Sequence, residues 1–414
     1  MRSGSLTLPS RPVVAYYCYV ASRSAAFTVP IYVLFFRSRG LTLAQFGLLE
    51  AGYTLAVLGL EFPTGYVADR VGRRNGLVAG NLVAAAGVLG YAVAHSFVAF
   101  AAAMLLRAVG ATFDSGASQA WLYELLADDD ATARFASVSG HANAVGLLAT
   151  SAAALAGSWA YARWPVLPWL LDAAALGVGA AVLLVAASDR DGGGPADSAA
   201  DAPPSPTETL AVTRTTLLRP GLGSFVAFTS FLVGVTVVAN LFVQPVSTDL
   251  LDIPARHLGA VYAGLTLVAA GASAASGRAE ALVGTDRWFA VAPMLVAVGL
   301  LATLFAPVLA LPLFFLLRAV AVVSRPLANQ RVTERTASTA RASVLSATSM
   351  VSSLVTAPLK LFAGSFAAVA LPRLFGALGG VLALASLAYL ARARLAALAA
   401  LAGDRSWPWP WQTE

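Results

Sequence analysis

The chain has 414 residues, of which 58% are hydrophobic and 12% charged, too little polar surface to cover a soluble fold of this size. Its net charge of +6 does not point to nucleic acid, because the basic residues are dispersed through short connections with no basic patch interleaved with aromatics. A single cysteine, Cys18, excludes an intramolecular disulfide. These features predict an all-α integral membrane protein.

The N-terminal stretch MRSGSLTLPSR places basic residues before an apolar segment. That segment carries Arg23 and has no A-x-A cleavage site, so it reads as an uncleaved first span. A helix crossing about 30 Å of hydrocarbon needs roughly 20 residues. Twelve apolar runs near that length occur, bounded by charge, glycine or proline. Six fall at 12–36, 43–66, 76–94, 97–126, 133–160 and 165–187, and six at 221–247, 257–278, 287–306, 308–333, 343–368 and 371–396. Between the two sets lies a segment rich in Gly, Pro, Asp and Ser, whose apolar content does not offset the entropy of ordering it. The expected organisation is a six-helix bundle at 1–188, a flexible cytoplasmic linker at 189–218, a second six-helix bundle at 219–396 and a cytoplasmic tail at 397–414.

With the N-terminus inside, the inner connections hold Arg70, Arg73, Arg74, Arg134, Arg190, Arg214, Arg219, Arg278, Arg287, Arg331, Arg335 and Arg341, and the outer ones only Arg37, Arg39, Arg163, Arg256 and Arg373. This asymmetry predicts both termini on the cytoplasmic side of the plasma membrane. The halves also echo each other. LLRAVG at 105–110 returns as LLRAVA at 316–321, which makes Arg107 and Arg318 equivalent, and the same shift within a residue carries Gly65 and Gly72 onto Gly277 and Gly284. Two matches at one offset predict two six-helix pseudo-repeats, an architecture that places a solute site between halves.

Between spans 2 and 3, GYVADRVGRRNG concentrates Gly65, Asp69, Arg70, Gly72, Arg73 and Arg74. Gly65 and Gly72 permit close helix approach and a tight turn. Asp69 suits the unpaired N–H groups of a helix N-terminus, while the arginines suit lipid phosphate or the acidic run Asp128, Asp129 and Asp130. The segment resembles the loop 2–3 signature G-x-x-x-D-R-x-G-R-R of the major facilitator superfamily, and all six residues match it. The resemblance implies a twelve-helix transporter in which these six residues form a conformational gate. Asp69 would there hold the N-terminal half against the start of span 11, where Ser338 or Thr339 could cap the helix.

An ionisable side chain at mid-membrane costs at least about 2.5 kcal/mol, so each one is a site candidate. The expected spans contain Arg23, Glu61, Arg107, Asp114, Asp172, Arg318, Arg325 and Lys360. Arg107 and Asp114 lie seven residues apart, two turns along one face of span 4, both able to line one cavity. Glu61 reads either as an ion-pair partner of Arg107 or as a protonatable carboxylate, and Asp114 is the second proton candidate. His141 reads as a packed polar group or a proton relay. The resemblance implies that spans 1, 4, 7 and 10 line the cavity, with polar positions that include Tyr16, Tyr17, Arg23, Asp114, Gln119, Asn240, Gln244, Arg325 and Asn329.

Apolar and aromatic residues around these charges, such as Phe27, Phe113 and Trp121, favour amphipathic drugs or lipophilic ions. The basic residues on spans 1, 4 and 10 equally suit an organic anion. Span 5, AVGLLATSAAALAGSWA, lacks the Gly-Pro pair of the family's drug/proton antiporters. An enzyme is not indicated: His95, His141 and His257 are scattered, with no zinc spacing, nucleophile elbow or phosphate-binding glycine loop. The expectation is a monomeric, drug- or solute-efflux-like secondary transporter of a small organic solute, coupled to protons and seated in the lipid bilayer, with no metal or cofactor. An uncoupled facilitator, an organic-anion transporter and, more remotely, a non-transporting receptor are the alternatives.

Overall fold

The computed structural model describes residues 10–114, 116–127, 131–186, 221–336 and 341–401. The expected linker and C-terminal tail lie outside these residues, apart from positions at their edges. Among the described residues the structure is helical and contains no strand, and ten helical segments are long and apolar enough to cross a membrane.

The run expected as one first span is two pieces, α1 (Arg11–Ser24) and α2 (Tyr32–Ser38). Pro30 accounts for the break. It has no N–H, its ring conflicts with the carbonyl four residues back, and Val29 before it is steered towards extended backbone. After α2 the chain closes a Schellman turn, in which Gly40 takes φ +89°, its N–H donates to Arg37 O at 2.9 Å, and Leu41 N–H donates to Phe36 O at 3.1 Å. Thr42 and Gln45 then form a reciprocal capping box, Gln45 N–H donating to Thr42 Oγ1 at 3.2 Å and Thr42 N–H to Gln45 Oε1 at 3.0 Å. This launches α3 (Leu43–Val71).

Gly72 at φ +90° separates α3 from α4 (Arg73–Val93), which packs on α5 (Phe97–Thr112) through small residues. A Cβ on Gly87 would lie 2.7 Å from Arg107 N, and one on Gly110 would lie 2.6 Å from Ala84 N, so both glycines permit the helix approach typical of membrane bundles. The run expected as a continuous span 4 is interrupted. α5 stops at Thr112, and α6 (Ala117–Ala127) follows a turn in which Gly116 has φ +76°. Next come α7 (Phe135–Arg163) and α8 (Leu167–Val185).

The second half holds α9 (Leu222–Leu241), α10 (Leu258–Val283), α11 (Thr285–Ala302) and α12 (Ala310–Glu334). The last two expected spans run on as α13 (Arg341–Leu401), which is broken inside by Ala370 at φ −155°, ψ 74°, two residues before Pro372. The turn glycines of the two halves share one geometry: Gly72 caps α4 at φ 90°, ψ 143°, and Gly284 caps α11 at φ 76°, ψ 150°. Gly65 and Gly277 differ from expectation. Each lies inside a helix, and among the described residues a Cβ there would meet open space, so no close approach is made at either.

The described residues gather into two compact units, one within 1–35, 59–200 and 255–263, the other within 36–58, 201–254 and 264–414. Each draws on both halves of the sequence. In the second unit α3 and α13 meet backbone to backbone: a Cβ on Gly47 would lie 2.6 Å from Gly364 Cα and 2.7 Å from Lys360 O. Gly364→Ala is therefore expected to cost about 1–3 kcal/mol by overpacking, seen as a lower melting temperature of the detergent-solubilised protein. An unchanged melting temperature would mean that this crossing relaxes freely.

Candidate functional site

The first unit is organised around the break in span 1. Asp172 of α8, buried, accepts hydrogen bonds from Phe27 N at 2.7 Å, Thr28 N at 3.2 Å and Thr28 Oγ1. On the other side, α7 presents Gly157, where a Cβ would fall 1.9 Å from Phe27 O. Thr150 Oγ1 of α7 donates to Ser24 O at 2.8 Å, satisfying a carbonyl at the end of α1. Irregular backbone at membrane depth is tolerated where it is packed inside protein in this way.

Arg23 lies in the last turn of α1 and Asp114 in the turn between α5 and α6. Arg23 Nε stands 3.6 Å from Asp114 Oδ2, an ion pair longer than a hydrogen bond, and Tyr19 Oη donates to Asp114 Oδ1 at 2.9 Å. Their side chains are 26% and 30% exposed. The expectation that Asp114 shares a helix face with Arg107 is not met, because the helix ends before Asp114. Arg107 is exposed on α5. Glu61 is exposed on α3 and ends its most apolar stretch. Tyr19 and Tyr16 pack on Trp121 of α6 with ring centroids 5.8 and 5.6 Å apart, so these three aromatics belong to the core.

Around the glycine turn, Arg73 Nη1 pairs with Glu124 Oε1 of α6 at 2.6 Å. Arg74 donates through Nε and Nη2 to Leu183 O and Leu184 O, both at 3.0 Å, in the last turn of α8. A cation is favoured there by the free carbonyls and the helix dipole. Arg70 lies over the Tyr66 ring at 4.2 Å. The side chain of Asp69, together with Asp128, Asp129, Asp130, Ser338 and Thr339, lies outside the described residues.

In the second unit, Lys360 of α13 donates to Glu50 Oε2 of α3 at 2.9 Å, with side chains 9% and 10% exposed. Arg37 of α2 pairs with Asp249 at 2.6 Å in the turn that follows α9. Arg331, expected in a loop, is a correction: it is buried in α12, paired with Asp286 in the first turn of α11 and stacked 5.0 Å above the Phe225 ring. Asn240 Nδ2 donates to Thr236 O of its own helix at 2.8 Å, and Gln244 is fully buried. Arg318, Arg325 and Asn329 are exposed on α12. Tyr19, Glu50, Glu124, Asp249 and Asp286 are partners that sequence reasoning misses. Glu50 carried the same signal as Glu61, an acid within an apolar run, whereas Tyr19 carried none.

The sequence profile described as Major Facilitator Superfamily matches residues 13–359. No curated relative matches the chain. Among solved structures, nucleoside transporter NupG is similar at 12% identity and TM-score 0.71, covering 92% of this chain and 97% of its own. The POT family transporter PepTSo is similar at 12% identity and TM-score 0.69, over 94% and 98% of the two chains. A bacterial homologue of the human lysosomal transporter Spinster is similar at 15% identity and TM-score 0.67, over 91% and 90%. At these identities the structural likeness speaks to the fold.

The buried pair in the second unit yields a stability prediction. Lys360→Met or Glu50→Gln alone is expected to cost about 3–5 kcal/mol, because each strands a buried charge or its partner, while Lys360→Met with Glu50→Leu recovers most of the loss. Thermal unfolding in detergent checks this, and a double variant no more stable than either single one would contradict it.

Proposed function

The chain belongs to the major facilitator superfamily, and from that premise we propose that it is a secondary transporter moving a small organic solute across the cytoplasmic membrane by alternating access, with proton coupling through Asp114. The family and the fold are those of membrane transporters rather than enzymes. Twelve crossings are part of the reading: α1 with α2 supplies the first, and α13 supplies two across the break at Ala370. Both termini are read as cytoplasmic from the arginine asymmetry, to which buried Arg331 adds nothing. The two six-helix bundles, the linker at 189–218 and a monomeric state are retained in the same reading.

The observation that carries the proposal is the Arg23–Asp114 pair, drawn from the broken ends of two helices and partly exposed. A proton on Asp114 removes the counter-charge of Arg23 and frees the guanidinium for a polar or anionic group of the solute, so proton and solute act on one electrostatic unit. A nucleoside transporter and a peptide transporter among the similar solved structures support a polar organic solute. Export of amphipathic, drug-like solutes is the narrower form of the reading, resting on the aromatic residues of the expected cavity helices.

In proteoliposomes with an imposed pH gradient, uptake of at least one of ethidium, p-aminohippurate, uridine or dialanine is expected. Asp114→Asn should abolish gradient-driven uptake while sparing counterflow exchange, with Glu61→Gln as the matched control. Gradient-driven uptake unaffected by either change would move the coupling away from both carboxylates, and uptake that ignores the pH gradient would favour an uncoupled facilitator.

The six residues from Gly65 to Arg74 are proposed as the gate. Asp69→Asn is expected to leave folding intact and to slow transport several-fold by weakening closure, an electrostatic contribution of about 1 kcal/mol. Wild-type rates together with wild-type cross-linking between the cytoplasmic loops would refute the gate.

A further inference from the structure

Asp172 lies outside the pair used for coupling, and its surroundings give it a definite task. A continuous helix would send Phe27 N–H to Arg23 O and Thr28 N–H to Ser24 O. With the helix broken, Ser24 O is taken by Thr150 Oγ1 at 2.8 Å and the two amides turn to the Asp172 carboxylate at 2.7 and 3.2 Å, joined by Thr28 Oγ1. Asp172 is therefore an acceptor for three donors at once, a task for a carboxylate. The amide of asparagine presents one oxygen and would turn its NH2 towards a donor.

The pose of α1 is fixed from the same two helices. Gly157 and Gly146 of α7 lie against Phe27 O and Ser24 Oγ, where a Cβ would come within 1.9 and 2.9 Å. Gly179 of α8 lies against Ser22 Oγ, where a Cβ would come within 2.7 Å. Ser22, Arg23 and Ser24 thus sit at the end of a helix that is pressed on α7 and α8, with Asp172 tying down the residues that follow. From Phe27 the constraint reaches Arg23 through only four residues, and Tyr19 lies one further turn back.

We infer that Asp172 is a positioning residue: by accepting Phe27 N, Thr28 N and Thr28 Oγ1 it holds span 1 open at residues 25–31, and it thereby sets Arg23 and Tyr19 against Asp114. The role deepens the coupling reading, since it acts on the pair that reading uses.

The test uses the full-length protein in detergent or nanodiscs and needs no transport substrate. Hydrogen exchange of the segment 25–31 reports the two amides. The 19F resonance of 3-fluorotyrosine at Tyr19, assigned with Tyr19→Phe, reports the hydroxyl bonded to Asp114. Asp172→Asn is expected to speed exchange at residues 27 and 28 about tenfold, the scale of one charge-assisted hydrogen bond, and to move the Tyr19 resonance. Thr28→Val, which removes one donor of the three, should produce smaller changes in the same directions, and Thr28→Ser should restore both signals. If Asp172→Asn does not fold, Thr28→Val and Thr28→Ser carry the test alone. Unchanged exchange overturns the inference, and faster exchange with an unmoved Tyr19 resonance also overturns it, because Asp172 would then cap locally and position nothing. A transport result for Asp114→Asn that defeats coupling would leave these signals untouched, so the two failures are separable.

Discussion

In hydrocarbon there is no water to take up a stray backbone N–H, so a chain that breaks a helix at membrane depth must supply the missing acceptors from its own side chains. Pro30 disfavours helix through this stretch, and two side chains from other helices meet the groups it frees: Asp172 accepts from two amides, and Thr150 Oγ1, which also bonds Gly146 O of its own helix, donates to Ser24 O. Much else in the first unit follows from this. Gly157 of α7 is needed because the opened segment lies flush against it, while Gly146 of α7 and Gly179 of α8 lie against the end of α1, and Arg23 ends up at a helix end, where its guanidinium reaches Asp114.

Three charged side chains within the spans form ion pairs with another element: Arg23 with Asp114, Lys360 with Glu50, Arg331 with Asp286. A buried pair of this kind is a weak source of net stability but a strong specifier, since separating it strands a charge. The pairs differ in access to water. Glu50 and Lys360 are about one-tenth exposed, whereas Arg23 and Asp114 are more than twice as open to water.

The local features were the legible ones. Apolar run lengths marked the helices, Gly72 and Gly284 marked equivalent turns, and the signature between spans 2 and 3 pointed to the family whose profile matches most of the chain. What escaped was set by distance along the chain or by tertiary packing. Glu50 and Lys360 are 310 residues apart, and no local pattern connects them. The interruption at Asp114 hides inside a run long enough to be read as one span, because Gly116 is as acceptable within a membrane helix as in the left-handed turn it adopts. Arg331 counted as an inner-side cation because it closes the expected span 308–333, yet it turns inward over Phe225 and is buried. Asp172 was visible as an intramembrane acid, but its donors belong to a break that a hydropathy window averages away.

The crossing of α3 and α13 at Gly47 and Gly364 has a kinetic side. Where helices meet through interlocked side chains, parting them requires each knob to leave its hole and each rotamer to find a new well. Here the two backbones touch with no Cβ between them. At that point neither helix has a side chain to withdraw, so parting the two glycines asks for no change of rotamer there, while the Glu50–Lys360 pair beside it has to be broken.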